Sequence, residues 1–337
     1  MSVNTAHLSE TSKRRTAMLR TAFCPVVREA LDAPDTIEVM ANPDGSIWIE
    51  KARLGIIVSD QTLTPSDRER VIRLVASSAN EGVDQSSPIV SAELPGSGER
   101  FEGLLPPICE APCFSVRKPA QSPFALQDYV NQASLASATA SALQDAIHNH
   151  ANILIAGGTS SGKTTFTNAL LAEDGFASDR VVILEDTREL KCTASNVIAL
   201  RTHKDKVSLQ QLVRSTLRLR PDRIIVGEVR GSEALDLLKA WNTGHPGGIT
   251  TLHANSAKSA LKRLEQLTQE AITYPPFELI AEAIDVVVFM SRKDGIRRVE
   301  EALRVTGFDG SDYLTTPLVS PSLSILKTDD VSCANPH

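Results

Sequence analysis

The sequence predicts an α/β chain: a mostly parallel sheet with helices on both faces, preceded by a smaller α+β region. Two observations carry this. From about residue 152, short apolar runs alternate with helical stretches, the pattern of strand–helix repeats around a parallel sheet. A glycine-rich loop also stands between an apolar run and a helical one, where such a sheet builds its ligand edge. The chain has 337 residues, enough for two domains, and 42% of them are hydrophobic while only 4% are aromatic, so its core is aliphatic.

The elements follow in order. Residues 11–31 read as a helix ending near Pro34. Strands are expected at Thr36–Met40 and Ser46–Glu50 around the turn Asn42-Pro43-Asp44-Gly45, and another at Arg53–Val58. Thr64, Pro65 and Asp67 have the N-cap, first-residue and first-turn chemistry of a helix over 65–80. Ser87–Leu94 and Arg100–Leu105 form a hairpin around Gly96-Ser97-Gly98, and Cys113–Lys118 adds a strand. These expectations place an N-terminal α+β domain at 1–118, a proline-bearing linker at 119–134 and the larger α/β domain at 135–337. In that domain an Ala-rich helix over 135–149 comes first. Strands are expected at 152–156, 181–185, 197–200, 223–227, 248–252 and 285–290. Helices fall at about 163–172, 208–219, 231–241, 256–271 and 276–284, with a strand pair in 296–320.

Composition narrows the function. Lys plus Arg is 35 and Asp plus Glu is 41, a net charge of −6, which argues against a protein that coats nucleic acid. A local basic patch remains compatible with it. Five cysteines are loosely spaced, and the Cys109/Cys113 pair has no second pair to complete a zinc site, so free thiols are expected. No apolar run approaches a membrane span, and Lys13, Arg14 and Arg15 are not followed by the apolar stretch a signal peptide needs, so the cytoplasm is the expected default location.

Four strand ends carry the chemistry. Gly157-Gly158-Thr159-Ser160-Ser161-Gly162-Lys163-Thr164-Thr165 contains G-x-x-x-x-G-K-T between a strand and a helix. Its glycines let the backbone turn N–H groups onto phosphates, the helix N-terminus adds partial positive charge, Lys163 reaches the β and γ phosphates, and Thr164 offers a hydroxyl to Mg²⁺. This predicts binding of a nucleoside triphosphate, ATP, with Mg²⁺. The apolar strand Arg223-Ile224-Ile225-Val226-Gly227 ends in Glu228, placed to polarise the attacking water or to hold Mg²⁺, directly or through water. An apolar strand ending in an acid is common in α/β proteins, and it gains meaning here from the loop upstream. A third strand ends in Glu185-Asp186-Thr187-Arg188, and Glu185 is a second candidate for activating water. A fourth ends at His253, a candidate sensor of the γ phosphate. Parallel strands bring these ends to one edge.

Together these segments resemble the secretion (traffic) ATPases of the type II/IV class. The loop at 157–165, the acidic box Ile-Leu-Glu-Asp-Thr-Arg-Glu-Leu (183–190), the segment Arg-Ile-Ile-Val-Gly-Glu-Val-Arg-Gly (223–231) and the histidine box Gly-His-Pro-Gly-Gly-Ile-Thr-Thr-Leu-His-Ala-Asn-Ser (244–256) stand in that family's order. The flanks 212–222 and 233–244 are most similar to its conjugal-transfer branch, and the likeness spans roughly residues 30–305. It implies a RecA-like P-loop NTPase core with a smaller N-terminal α+β domain, and a homohexamer that hydrolyses ATP to power conjugative type IV secretion, including pilus or channel assembly. It also implies a place on the cytoplasmic face of the inner membrane, among that machine's inner-membrane components, with peripheral membrane contact. By position, Lys163, Glu228, Glu185 and His253 carry catalysis. Arg100 and Arg117 approach the terminal phosphate, and Arg188, in the acidic box, is a candidate to neutralise phosphate charge or to pair with a nearby carboxylate. The four-cysteine zinc motif of some pilus-assembly relatives is absent, which weighs against a type II secretion or pilus ATPase. A RecA-like DNA-handling motor is the other alternative, and the sequence leaves direct DNA binding open.

Overall fold

The structure is a computed structural model that describes residues 10–52, 54–79, 81–118, 125–203, 206–293 and 295–320. The chain divides into two compact units: Met1–Pro123 together with Glu185–Glu189, and Phe124–Leu184 with Leu190–His337. The proline-bearing stretch 119–124 and the terminal segments lie outside the described residues.

The first unit opens with α1 (Glu10–Ala22) and α2 (Pro25–Asp32) instead of one helix over 11–31. Pro25 lacks an N–H and sits at the start of α2, so the chain turns at Phe23-Cys24 and begins a new helix there. Six antiparallel strands follow: β1 (Thr36–Ala41), β2 (Ser46–Lys51), β3 (Gly55–Thr62), then, after α3 (Pro65–Ser78), β4 (Ile89–Glu93), β5 (Arg100–Leu104) and β6 (Cys113–Arg117). Their order is β3-β2-β1-β6-β5-β4. β3 runs beyond the expected end at Val58 because polar Ser59–Thr62 keep pairing with β2, as far as Ser46 opposite Thr62. Thr64 caps α3 by accepting from the Asp67 N–H. Val71, Ile72 and Val75 of α3 pack with Val39, Ile47, Phe101, Phe114 and Val116 of the sheet. Arg68 is also buried there, and its guanidinium donates to the carbonyls of Pro43, Leu63 and Pro112, which offsets the cost of removing it from water.

The second unit begins with α4 (Leu126–Asn131) and α5 (Ser137–His148), and Leu126 and Tyr129 of α4 are buried in its core. Then come β7 (Ile153–Gly157), α6 (Lys163–Leu171), β8 (Arg180–Glu185), β9 (Asn196–Arg201), α7 (Leu209–Thr216), β10 (Arg223–Val226), α8 (Glu233–Asn242), β11 (Ile249–Leu252), α9 (Ala257–Thr268), α10 (Phe277–Ala283), β12 (Val286–Lys293), β13 (Ile296–Phe308) and β14 (Tyr313–Pro317). The sheet order is β14-β13-β12-β7-β11-β10-β8-β9. β8, β10, β11, β7 and β12 are parallel, and β13 and β14 extend the sheet in antiparallel fashion. The central strands are buried on both faces, which explains their unbroken apolar runs. Leu154, Val182, Ile224 and Val287 enter one core cluster, while their neighbours Ile153, Ile155, Ile183 and Ile225 enter the other. Among the described residues no helix is long and apolar enough to cross a membrane.

Gly248, just before β11, shows how tightly this unit is built. A Cβ there would lie 2.1 Å from Trp241 Nε1 and 2.5 Å from the Ile224 carbonyl oxygen. Trp241 is buried and donates its Nε1–H to that carbonyl at 3.1 Å. Gly248→Ala must therefore displace the indole and break its hydrogen bond. We expect a loss of about 3 kcal/mol, from overpacking plus one buried hydrogen bond, read as a lower midpoint in urea unfolding. An unchanged midpoint would show that the indole has room to shift.

Candidate active site

The parallel pairing of β7, β11, β10 and β8 sets their C-terminal ends on one edge of the second unit's sheet. β7 ends at Gly157, and the loop returns into α6 at Lys163. Two reversals shape this loop: Ser160 has φ +59 and Gly162 has φ +95, both left-handed. Gly157 has no room for a side chain, since a Cβ would stand 2.5 Å from the Met290 carbonyl oxygen and from Ser161 Oγ. Gly158 and Thr159 are exposed; Ser160, Thr164 and Thr165 are half-buried; Ser161 is buried, and its hydroxyl has no hydrogen-bond partner among the described residues.

Lys163, only 8% exposed, directs its ammonium into the loop. It donates to the carbonyl oxygens of Gly157 at 2.9 Å and Gly158 at 3.1 Å, and its Nζ lies 3.4 Å from His253 Nδ1. An ammonium has only protons to give, so Nδ1 is the acceptor and the ring proton sits on Nε2. Nε2 in turn lies 3.0 Å from Glu228 Oε1. The other carboxylate oxygen, Oε2, accepts from the Arg230 guanidinium at 2.7 Å. Lys163, His253, Glu228 and Arg230 thus form one continuous chain of contacts.

Electrostatics fix the charge states along that chain. Burial alone pushes the Glu228 carboxyl up, but the hydrogen bond and charge of Arg230, with His253 and Lys163, outweigh it and hold the carboxyl below its ordinary value. Burial, then the Lys163 charge, lowers the His253 pKa against the opposing pull of Glu228. At neutral pH the site therefore holds an ionised Glu228 and an uncharged His253. Glu228 Oε1 is buried without a full hydrogen bond. That buried anionic oxygen, with His253 on one side and a lysine and a loop of turned peptides nearby, fits a hydrated cation and a phosphate chain.

Local structure explains why Glu228 points here. The Gly227 N–H still donates to the Leu184 carbonyl and the Val229 N–H to that of Thr251, so the backbone stays tied to the sheet beyond the end of β10. Glu233 then takes the Arg230 and Gly231 N–H groups and starts α8. On β11, Thr251 Oγ1 donates to the Gly227 carbonyl, which links the β10 and β11 ends beside the site.

The remaining candidates lie in the first unit. Glu185 closes β8, is buried, and accepts the Glu189 N–H at 2.9 Å, which caps the acidic loop. Arg188 is exposed, and its backbone N–H donates to Glu93 Oε1 at 3.2 Å. Arg100 and Arg117 are direct cross-strand partners, both exposed, with Glu93 opposite Arg100 and Glu38 opposite Arg117. Like charges opposite each other across a ladder repel, and Glu93 and Glu38 offset that repulsion here.

The family model for the type II/IV secretion system protein matches residues 34–294. The conjugal transfer protein TrbB of Rhizobium radiobacter is 49% identical over 85% of this chain and 88% of its own length. The chain belongs to the type II/IV secretion system protein family. A more distant member, the type IV secretion system protein VirB11 of Bartonella quintana, is 29% identical over 88% of this chain and 95% of its own. The X-ray structure of the Legionella pneumophila ATPase DotB superposes with a TM-score of 0.57 at 18% identity, covering 90% of this chain and 83% of that one, which shows a shared α/β fold. In this secretion-family chain the sequence leaves the partner of Arg230 open, and the structure supplies it as Glu228. Arg297 escapes a reading of the sequence entirely, yet it donates from β13 to the Ser160 carbonyl in the phosphate loop. No local pattern marks that arginine, because only the sheet order brings it to the loop.

Proposed function

We propose that this chain is the motor ATPase of a conjugative type IV secretion system, working as a homohexamer at the cytoplasmic face of the inner membrane. The observation that carries the reading is the Lys163–His253–Glu228–Arg230 chain at the mouth of the phosphate loop. The identity to a conjugal transfer protein supports the assignment to conjugation.

The loop N–H groups and Lys163 bind the β and γ phosphates of ATP. Thr164, with Glu228 directly or through water, would hold Mg²⁺, which when bound neutralises charge on the phosphates. Glu228, kept ionised by Arg230, orients the attacking water and takes up its proton. The Nε2–H of His253 steadies Glu228 while Nδ1 faces Lys163, so the histidine ties the water-activating group to the phosphate-binding one. Glu185 is the second acid of this chemistry. Arg100 and Arg117 supply positive charge to the terminal phosphate, and Arg188 shields the acidic box.

Purified protein tests this by sizing with and without ATP, and by turnover with anionic phospholipid vesicles or with DNA. An ATP-dependent hexamer, stimulated by vesicles and indifferent to DNA, is expected. Turnover that needs DNA, with binding that weakens steeply with salt, would instead identify a DNA-handling motor.

A further inference from the structure

The back of the phosphate loop is walled by the β12–β13 hairpin. Met290 of β12 pairs with Gly157, and its carbonyl oxygen leaves that glycine no space for a side chain. On the returning strand, the Arg297 stem lies over Gly162, where a Cβ would meet Arg297 Cδ at 2.8 Å. The Arg297 Nε–H donates to the Ser160 carbonyl at 3.2 Å. Arg297 thus touches the loop at its two left-handed residues, Ser160 and Gly162.

That placement has a physical consequence. A loop that turns its N–H groups inward onto phosphates must turn carbonyls outward, and an outward carbonyl in a crowded place needs a donor. Ser160 also holds a left-handed conformation that a residue with a Cβ adopts at a cost, so the surroundings must over-determine it. Arg297 stands directly opposite Arg292 across the hairpin. Like charges in that position repel, which favours the Arg297 side chain swinging away from the ladder and onto the loop.

We infer that Arg297 is a positioning residue: it braces the outer face of the phosphate loop from the hairpin and so sets the affinity for the nucleotide's phosphate chain. This rests on the nucleotide-binding reading above. Because the brace acts on the shape of the loop rather than on the transferring phosphate, it affects binding more than the chemical step.

The test compares full-length wild type, Arg297→Ala, Arg297→Gln and Arg297→Lys. ADP affinity is measured with Mg²⁺ and a fluorescent ADP, together with kcat, KM for ATP, and hydrogen exchange of amides 158–162. Arg297→Ala and Arg297→Gln should weaken ADP binding and raise KM about tenfold, the scale of one hydrogen bond to a charged group. kcat should change less than about threefold, and exchange in the loop should quicken. Arg297→Lys, which keeps a donor and a long stem, should recover part of the affinity. Wild-type affinity in a folded Arg297→Gln protein would overturn the inference while leaving the nucleotide reading intact. So would a kcat loss with unchanged ADP binding, which would mark a group acting on the phosphate itself. Failure of the wild-type protein to bind ADP at all would overturn both.

Discussion

Glu228→Gln is expected to lower kcat about 10³-fold while leaving ATP binding within a few-fold of wild type, the range of a lost general base. The amide keeps the size and shape of the carboxylate but cannot take a proton from water. Glu228 is well placed to accept that proton, because one oxygen is held by Arg230 at 2.7 Å and the other is buried without a full hydrogen bond beside His253. The glutamine also weakens the contact between position 228 and Arg230, which costs little at an exposed guanidinium. Most of the binding rests on the loop and Lys163, which the substitution leaves in place, and the amide oxygen of glutamine can still face a cation through water. Steady-state kinetics and fluorescent-nucleotide titration separate the two quantities. Near-wild-type turnover would move the water-activating role to another acid, with Glu185 the first to examine.

Lys163→Ala is expected to abolish measurable ATPase activity, a fall of about 10³-fold or more in kcat/KM, through loss of a preorganised charge on the phosphates. The ammonium is nearly buried and already aimed into the loop by the Gly157 and Gly158 carbonyls. In such a site a fixed charge counts for more than it would in water. The fold should persist, since Lys163 stands at the start of α6 and the Phe166 N–H to Gly162 carbonyl bond does not involve its side chain. Circular dichroism and thermal unfolding check this. Full activity in a folded Lys163→Ala protein would remove the site from the mechanism. The double variant with Glu228→Gln should fall little below the worse single one, because both groups serve the same phosphate.

The legible parts of this protein are those coded by neighbours in sequence. Thr64, Pro65 and Asp67 announced the start of α3, because capping is satisfied within one turn. The strand–loop–helix around 157–165 was equally plain. The break at Cys24-Pro25 was readable in principle from the proline, but helical periodicity on both sides obscured it. The added antiparallel pair of β13 and β14 was visible, though its role behind the phosphate loop was not.

By itself, then, the sequence placed the glycine-rich loop with Lys163 between a strand and a helix and marked which strands end in polar or charged side chains, because those properties depend on spacing of a few residues. It also determined the family, through four boxes in order. Only the tertiary structure decided that Arg230 holds Glu228, that His253 bridges Glu228 and Lys163, and that Arg297 reaches the loop from a strand far along the chain. The last two join segments brought together by the order β13-β12-β7-β11-β10, whereas Arg230 and Glu228 stand two residues apart in the loop after β10. Strand order is set by how buried apolar faces pack across the whole sheet, and no local stretch of sequence carries that information.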